Sequence, residues 1–349
     1  MKLEEYLAGK KEIVLGFLGG SITEGAGASS EERNFCSLVT QWLTKQYPEN
    51  SFQMVNAGVG GTDSSLGAYR VERDLLVHQP DVVFVEFATN DTDMPYDRGC
   101  ATMEGIVRKI LRRNKETRIV FIYTLTQRLI ERYYARGIAP VSVRAHQRIA
   151  DAYHIPSLNM GRLLYDRMLQ EHARVEEYLP DTSHPNDAGY AFYAEKIIEF
   201  LLQMSWEAIP FPKEPVIPGN LEFARLVLAE KYEGENWTLV RQTMHGRLPS
   251  YIESNIFQAE LVIPFEGTEI GVYWCMDKDS GKIGYHVDSC EEKKASGWDH
   301  YCVNFNRANS LMLVSGLEYG KHELHIRVLD EKDEASEGYY VRIGAFLIS

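Results

Sequence analysis

The sequence contains no apolar run that approaches the roughly 20 residues of a membrane-spanning helix. The apolar stretch at residues 13–18 is also too short for the core of a signal peptide, and acidic residues occupy the positions that are basic in such peptides. We therefore expect no membrane partner. The expected location is the cytoplasm, or outside the cell if a leader has been removed.

Positive charge is scarce as well. The 37 Lys and Arg residues are outnumbered by 50 Asp and Glu, so the net charge is −13 and the isoelectric point is near 5.3. Binding to a nucleic-acid backbone requires clustered positive charge. The most basic stretch, residues 108–115, is typical of the solvated face of one helix. The composition therefore argues against a nucleic-acid partner.

Cysteine is sparse, and its spacing shows no pairing motif. The number of cysteines is odd and no CxxC pair occurs, which indicates reduced thiols. The five cysteines are Cys36, Cys100, Cys275, Cys290 and Cys302. Among ten histidines, His322 and His325 in "HELH" form the one close pair, and a strand would point them to opposite sides. No metal or cofactor site is expected.

What the sequence does contain, up to about residue 205, is an alternation of short Val-, Ile- and Phe-rich runs with helical patterns. Strands are predicted at residues 12–18, 52–56, 82–87, 118–124 and 155–159. Helices are predicted at residues 34–46, 65–78, 102–114, 141–153 and 187–204. Such alternation predicts a parallel sheet covered by helices on both faces, with ligands bound at the carboxyl ends of the strands.

The pattern changes after a stretch with four prolines at residues 208–220, which is typical of a linker. Beyond it, short segments alternate apolar and polar residues between glycine-rich and charged turns. This pattern predicts an antiparallel, jelly-roll-like β-sandwich. We thus predict an α/β domain at residues 1–207, the linker, and a β domain at residues 221–349.

Polar and glycine-rich loops follow the first three predicted strands and precede the last helix. They contain Ser21, Gly61, Asn90, and the pair Asp181 and His184. A serine needs a base such as histidine to become a nucleophile, and a carboxylate orients the imidazole. The backbone N–H groups of Ser21 and Gly61 and the amide of Asn90 are candidate oxyanion donors. Each of these features alone is typical of a turn or helix cap. The interpretation as a catalytic site therefore depends on their occurring together.

The blocks "GGSIT", "NAGVGG", "ATND" and "DTSHP" resemble the four signature blocks of the SGNH hydrolases, also called the GDSL esterase/lipase family. The resemblance spans about residues 10–205. It implies a flavodoxin-like three-layer α/β/α fold and cofactor-free hydrolysis of acyl esters or amides. By position it implies Ser21 as nucleophile and first oxyanion donor, Gly61 and Asn90 as further donors, Asp181 as acid and His184 as base.

Two positions depart from the family pattern. The first block is Gly-Gly-Ser-Ile rather than Gly-Asp-Ser-Leu, and the third has Ala88 where glycine is usual. The missing aspartate is not a triad member, so we expect the chemistry to be retained. Other loop types fit less well, because a phosphate-binding loop would need a lysine and a nucleophile elbow would need glycine in place of Thr23.

The substrate is less well determined than the reaction. Arg and Tyr side chains in residues 123–140 suit a polar ligand, and Trp237, Trp274 and Trp298 of the β domain would either stack on sugars or form its core. We expect a carbohydrate O-acetylesterase acting on a small-molecule or oligosaccharide ester. The alternatives are a lysophospholipase or acyl-thioesterase, or a catalytically inactive carbohydrate-binding protein. A homo-oligomer is compatible with the β domain.

Overall fold

The computed structural model describes residues 1–232, 234–243 and 248–349. The chain divides into two compact units, Met1–Glu222 and Phe223–Ser349. Within the described residues, no helix combines the length and the apolar character needed to cross a membrane.

The first unit is built on a five-stranded parallel sheet with strand order β2-β1-β3-β4-β5, the flavodoxin-like order. Its strands are β1 (Glu12–Gly19), β2 (Ser51–Gly58), β3 (Val82–Glu86), β4 (Arg118–Ile122) and β5 (Ser157–Leu158). In register, Phe17 of β1 pairs with Asn56 of β2 and with Phe84 of β3. The predicted parallel α/β fold is confirmed.

The α-helices of this unit begin at side-chain caps in several places. Asn34, Asp63 and Asn186 accept hydrogen bonds from backbone N–H groups of the first turns that follow them. In the described chain the helices are α1 (Leu3–Leu7), α2 (Ser21–Glu24), α3 (Phe35–Gln46), α4 (Ser64–Asp74), α5 (Tyr96–Arg113), α6 (Gln127–Arg132), α7 (Val141–Ala152), α8 (Met160–Glu171) and α9 (Asp187–Gln203).

Helices cover both faces of the sheet. Leu15 and Phe17 of β1 lie in one buried core with side chains of α3, α8 and α9. On the opposite face, an added Cβ at Gly16 would contact Leu75, which follows α4 directly, and α5 packs against α4 and α7. The unit therefore has the three layers expected of this fold.

The proline-rich stretch at residues 208–220 lies within the first unit. Glu104 of α5 accepts hydrogen bonds from the backbone N–H groups of Val216 and Ile217, both at 2.6 Å. Arg108, one turn further along α5, donates to the carbonyl of Pro212 and pairs with Glu222 at 2.7 Å. Because Glu104, Arg108 and Glu222 are buried, the chain up to Glu222 is packed onto α5.

The described residues of the second unit form two antiparallel sheets. One has the order β13-β10-β15-β8-β7 with β6 beside β15, and the other has the order β12-β11-β14-β9. The strands are β6 (Arg225–Leu228), β7 (Thr238–Val240), β8 (Tyr251–Ser254), β9 (Glu260–Gly267), β10 (Ile270–Met276), β11 (Gly281–Val287), β12 (Lys293–Ser296), β13 (Arg307–Val314), β14 (Gly320–Lys332) and β15 (Val341–Ile348).

Apolar side chains of both sheets form one core, as in a β-sandwich. Along β9 every second residue is buried, which places Leu261, Ile263 and Phe265 inside. Trp274 is fully inside this core, and Trp237 and Trp298 pack against it. Of the two interpretations of these tryptophans, the structure favours the core.

Candidate active site

Ser21 lies two residues beyond the carboxyl end of β1 and begins the short helix α2. Its Oγ is 2.8 Å from Nε2 of His184. The turn that carries Ser21 is held from α9, because the Tyr190 hydroxyl lies 3.0 Å from the carbonyl oxygen of Ile22 and 2.7 Å from that of Ala26. The serine is thus fixed at the sheet edge where parallel α/β proteins bind ligands.

His184 and Asp181 lie in the loop that precedes α9. Nδ1 of His184 is 2.6 Å from Oδ2 of Asp181. The other carboxylate oxygen of Asp181 accepts hydrogen bonds from the backbone N–H groups of Ser183 and His184, at 2.9 and 2.7 Å. If Nδ1 carries the proton, Nε2 is free to accept the proton of the Ser21 hydroxyl.

The electrostatics of this pair favour an ionised aspartate. Burial is the largest single influence and raises the pKa of Asp181, but the hydrogen bonds from the His184 ring and from the two backbone N–H groups outweigh it. The pKa of Asp181 therefore lies below its ordinary value. An ionised carboxylate in this position can stabilise positive charge on a neighbouring imidazole ring.

Asn90 follows β3 and begins a 3₁₀ turn, Asn90–Asp93. Its side chain lies against the backbone of Gly20, since a Cβ added at Gly20 would be only 2.3 Å from Oδ1 of Asn90. A side chain at position 20 would therefore require the Asn90 side chain to shift. The glycine before the serine therefore permits the close approach of β1 and the Asn90 turn.

Gly60 and Gly61 belong to the loop after β2. A Cβ added at Gly60 would lie 3.7 Å from Cβ of Ser21, and the Gly60 N–H donates to Glu24 of α2 at 2.9 Å. Gly61 has φ of +71°, a conformation that favours glycine. Among the described residues, the backbone N–H groups of Ser21 and Gly61 donate no hydrogen bond to the protein. Both remain able to bind a substrate oxygen.

Sequence reasoning missed Glu86, the last residue of β3. This fully buried carboxyl contacts hydroxyls from three segments: Thr124 after β4 at 2.6 Å, Thr23 of α2 at 3.2 Å and Thr89 at 3.5 Å. Burial raises its pKa most strongly and the threonine hydrogen bonds lower it only in part, so that the pKa is raised to about 7. An acidic residue inside an otherwise apolar strand is the signal that could have revealed it.

A second buried pair supports the same loops. Oδ2 of Asp91 is 2.7 Å from Nε2 of His146 on α7, and Oδ1 accepts a hydrogen bond from the Ser64 N–H at the start of α4. Asp91 directly follows Asn90. Asp91 therefore joins the turn after β3 to α4, the helix that follows the Gly61 loop. No spacing rule in the sequence links His146 to Asp91.

His322 and His325 of the second unit have different partners. His322 lies 2.7 Å from Asp288, whereas the His325 ring stacks on His286 with ring centroids 4.6 Å apart. Across residues 1–232, 234–243 and 248–349, no group of three or more His, Cys, Asp or Glu side chains is placed to hold a metal ion.

A serine, a histidine and an aspartate joined in series at the carboxyl edge of a parallel sheet form an arrangement that occurs in hydrolases with a serine nucleophile. The sequence comparison specifies which kind. Residues 17–192, about half of the chain, match the GDSL-like lipase/acylhydrolase family. The chain belongs to that family, as its sequence motifs predict, and is a hydrolase of ester bonds.

Two solved structures resemble the whole chain. A two-domain esterase (CEX) active on acetylated mannans, co-crystallised with mannopentaose, is 23% identical, with a TM-score of 0.86 over 99% of this chain and 93% of its own. A second structure of a two-domain esterase (CEX) active on acetylated mannans is 22% identical, with a TM-score of 0.86 over 99% of this chain and 94% of its own. These likenesses confirm the two-domain fold.

A catalytic mutant of Axe2, an acetylxylan esterase from Geobacillus stearothermophilus, is 20% identical over 56% of this chain and 97% of its own, with a TM-score of 0.44. Comparison with curated proteins gives no match.

Proposed function

We propose that this protein hydrolyses acyl esters with Ser21 as nucleophile, His184 as general base and acid, and Asp181 as the group that orients His184. The observation that carries the proposal is the hydrogen-bonded series from Ser21 Oγ to His184 Nε2 at 2.8 Å and from His184 Nδ1 to Asp181 Oδ2 at 2.6 Å. Distances of this size allow a proton to move from the serine to the imidazole.

In the first half of the reaction, the hydroxyl proton of Ser21 passes to Nε2 of His184 while Oγ bonds to the ester carbonyl carbon. The tetrahedral intermediate collapses when the protonated His184 gives its proton to the leaving alcohol oxygen, which leaves an acyl-serine. In the second half, His184 takes a proton from a water molecule whose oxygen attacks the acyl carbon. The second tetrahedral intermediate collapses when His184 gives this proton to Oγ of Ser21, which releases the acid and regenerates the enzyme.

The developing oxyanion requires donors that are already aimed. We assign this role to the N–H groups of Ser21 and Gly61 and to the side-chain amide of Asn90. The two backbone N–H groups have no acceptor among the described residues, and the Asn90 side chain is held against Gly20. Loss of one such donor typically costs about 10²–10³ in kcat.

For the substrate we propose an acetylated carbohydrate. Asp93, three residues beyond Asn90, pairs with exposed Arg128 and Arg132 of α6 at 2.5 and 2.9 Å. The first N–H of α6, that of Gln127, donates to the Thr182 carbonyl in the loop of Asp181 and His184. α6 therefore presents charged side chains between two loops of the site, and such a rim suits a sugar hydroxyl better than a long acyl chain. The two-domain esterase of similar fold is active on acetylated mannans.

The test of the reaction is substitution of the nucleophile. Ser21→Ala should abolish hydrolysis of p-nitrophenyl acetate, with the loss in kcat reaching about 10⁴-fold or more. Ser30→Ala, an exposed serine of the same loop, is the matched control and should retain activity. Full activity of Ser21→Ala would refute the proposal.

The test of the substrate is a comparison of acyl chains and leaving groups. Acetylated oligosaccharides and p-nitrophenyl acetate should be better substrates than p-nitrophenyl esters of long acids. A preference for long acyl chains would instead favour the lysophospholipase or acyl-thioesterase alternative. Glycan binding without turnover of any ester would favour the inactive carbohydrate-binding protein.

A further inference from the structure

The carboxyl of Glu86 is only 1% exposed, and it has no cationic partner in the part of the chain that the structure describes. Among the described residues no Lys, Arg or His side chain forms an ion pair with it, and its contacts are the hydroxyls of Thr23, Thr89 and Thr124. Burying a carboxyl in this way is costly and is not needed to build a strand. Features that cost stability without serving the fold are expected at functional sites.

The three threonines show what the carboxyl holds. Thr23 belongs to α2, two residues after Ser21, and Thr89 directly precedes Asn90. Thr124 follows β4, so it anchors Glu86 to the sheet. One side chain therefore joins the segment of the proposed nucleophile to the segment of the proposed oxyanion donor.

We propose that Glu86 is a positioning residue for ester hydrolysis that acts in its ionised form, by holding the Ser21 turn and the Asn90 turn in register. The proposal rests on the proposed function. An ionised carboxylate only accepts hydrogen bonds, so it can accept from all three hydroxyls at once. A protonated carboxyl must donate one bond, which forces one threonine hydroxyl to turn or to separate.

The surroundings of Glu86 place the pKa of its carboxyl near neutral pH, where an ester hydrolase of this kind would work. The titratable groups that face it are Asp91 in the turn after β3, Cys36 of α3, and Tyr190 and Tyr193 of α9. Burial raises the pKa of the Cys36 thiol and of both tyrosines, so these groups stay neutral. Burial is the main cause that raises the pKa of Glu86 to about 7, and the negative charge of Asp91, which is itself bonded to His146, contributes to the rise.

The experiment is the dependence of kcat/KM on pH for p-nitrophenyl acetate between about pH 5 and 9. In the unaltered enzyme two protonations, of His184 and of Glu86, remove activity, so the acid limb of the logarithmic plot should approach a slope of two. Glu86→Gln should reduce this slope to one. It should also lower kcat at pH 8 by about 10- to 100-fold with little change in KM, the cost of imprecise positioning.

Two further variants separate positioning from a general structural role. Thr124→Val removes the 2.6 Å hydrogen bond to Glu86 and should move the acid limb to higher pH while keeping its slope of two. Glu104→Gln alters another fully buried glutamate, one that holds residues 216 and 217, and should leave the shape of the profile unchanged.

An acid limb of slope one in the unaltered enzyme, or an unchanged slope in Glu86→Gln, would overturn the role of Glu86 while leaving the proposed function intact. An unaltered enzyme that hydrolyses no ester would overturn both.

Discussion

Replacing Glu86 with glutamine should make the protein more stable at alkaline pH, although it impairs activity. The pKa of Glu86 is raised from 4.5 to about 7, with burial as the main cause. A carboxyl whose pKa is raised by folding contributes stability that is fully present below its unfolded pKa and is lost as the pH rises to its folded pKa. At about 1.4 kcal/mol for each pH unit, the difference corresponds to about 3 kcal/mol.

Glutamine is neutral at every pH and therefore does not incur this loss. At pH 4.5 the free energies of unfolding of Glu86→Gln and of the unaltered protein should be about equal. Between pH 4.5 and 7 the difference in favour of Glu86→Gln should grow, and at pH 8 it should be about 3 kcal/mol. Urea unfolding at several pH values measures this difference, provided that the slope with urea is the same in both proteins.

Glu104→Gln provides the comparison for this measurement, because it should shift the same unfolding transition of the first unit in the opposite direction. In the unaltered protein the second carboxylate oxygen of Glu104 accepts a hydrogen bond from the Ile217 N–H. A glutamine NH₂ group at that place would face this N–H, so two donors would lie together at a cost of about 1–3 kcal/mol. If Glu86→Gln is less stable than the unaltered protein at pH 8, the reasoning about its buried charge is refuted.

Three other outcomes are expected. Asp181→Asn should lower kcat for p-nitrophenyl acetate by about 10⁴ with KM nearly unchanged, because the amide favours the wrong tautomer of His184; a loss below tenfold in steady-state assays would contradict this role. Tyr190→Phe removes the donor to two backbone carbonyls of the nucleophile turn and should lower the free energy of unfolding by about 1–2 kcal/mol in urea titrations. Exchanging Arg128 and Arg132 together for alanine should raise KM for an acetylated oligosaccharide but not for p-nitrophenyl acetate, and equal effects on both substrates would argue against a sugar-facing rim.

The sheet and the loops of the candidate site could be predicted because buried parallel strands are apolar runs that end in glycine or polar residues. The predicted positions of β1 and β3 agree with the observed strands within one residue at each end. The structure brings Ser21 and His184 together as the motif order predicts. Here local composition and topology point to the same arrangement.

The elements that were not predicted lack a clear local pattern. α5 begins at Tyr96, six residues before the predicted start, because its first turn includes Gly99 and has no apolar periodicity. α1, α2, α6 and α8 were missed, and α1 and α2 are only five and four residues long. The contacts of Glu86 join residues 63 and 38 positions apart, and no short-range spacing encodes such a cluster.

The packing of residues 208–220 onto α5 determines where the two halves of this protein can be separated. A fragment that ended at residue 207 would lose the backbone partners of Glu104 and the carboxylate of Glu222 that neutralises Arg108. Buried charges deprived of their partners are strongly destabilising. A gene fusion or domain exchange that transfers the hydrolase unit must therefore include all residues up to Glu222. The proline-rich stretch belongs with the hydrolase unit rather than with the β-sandwich.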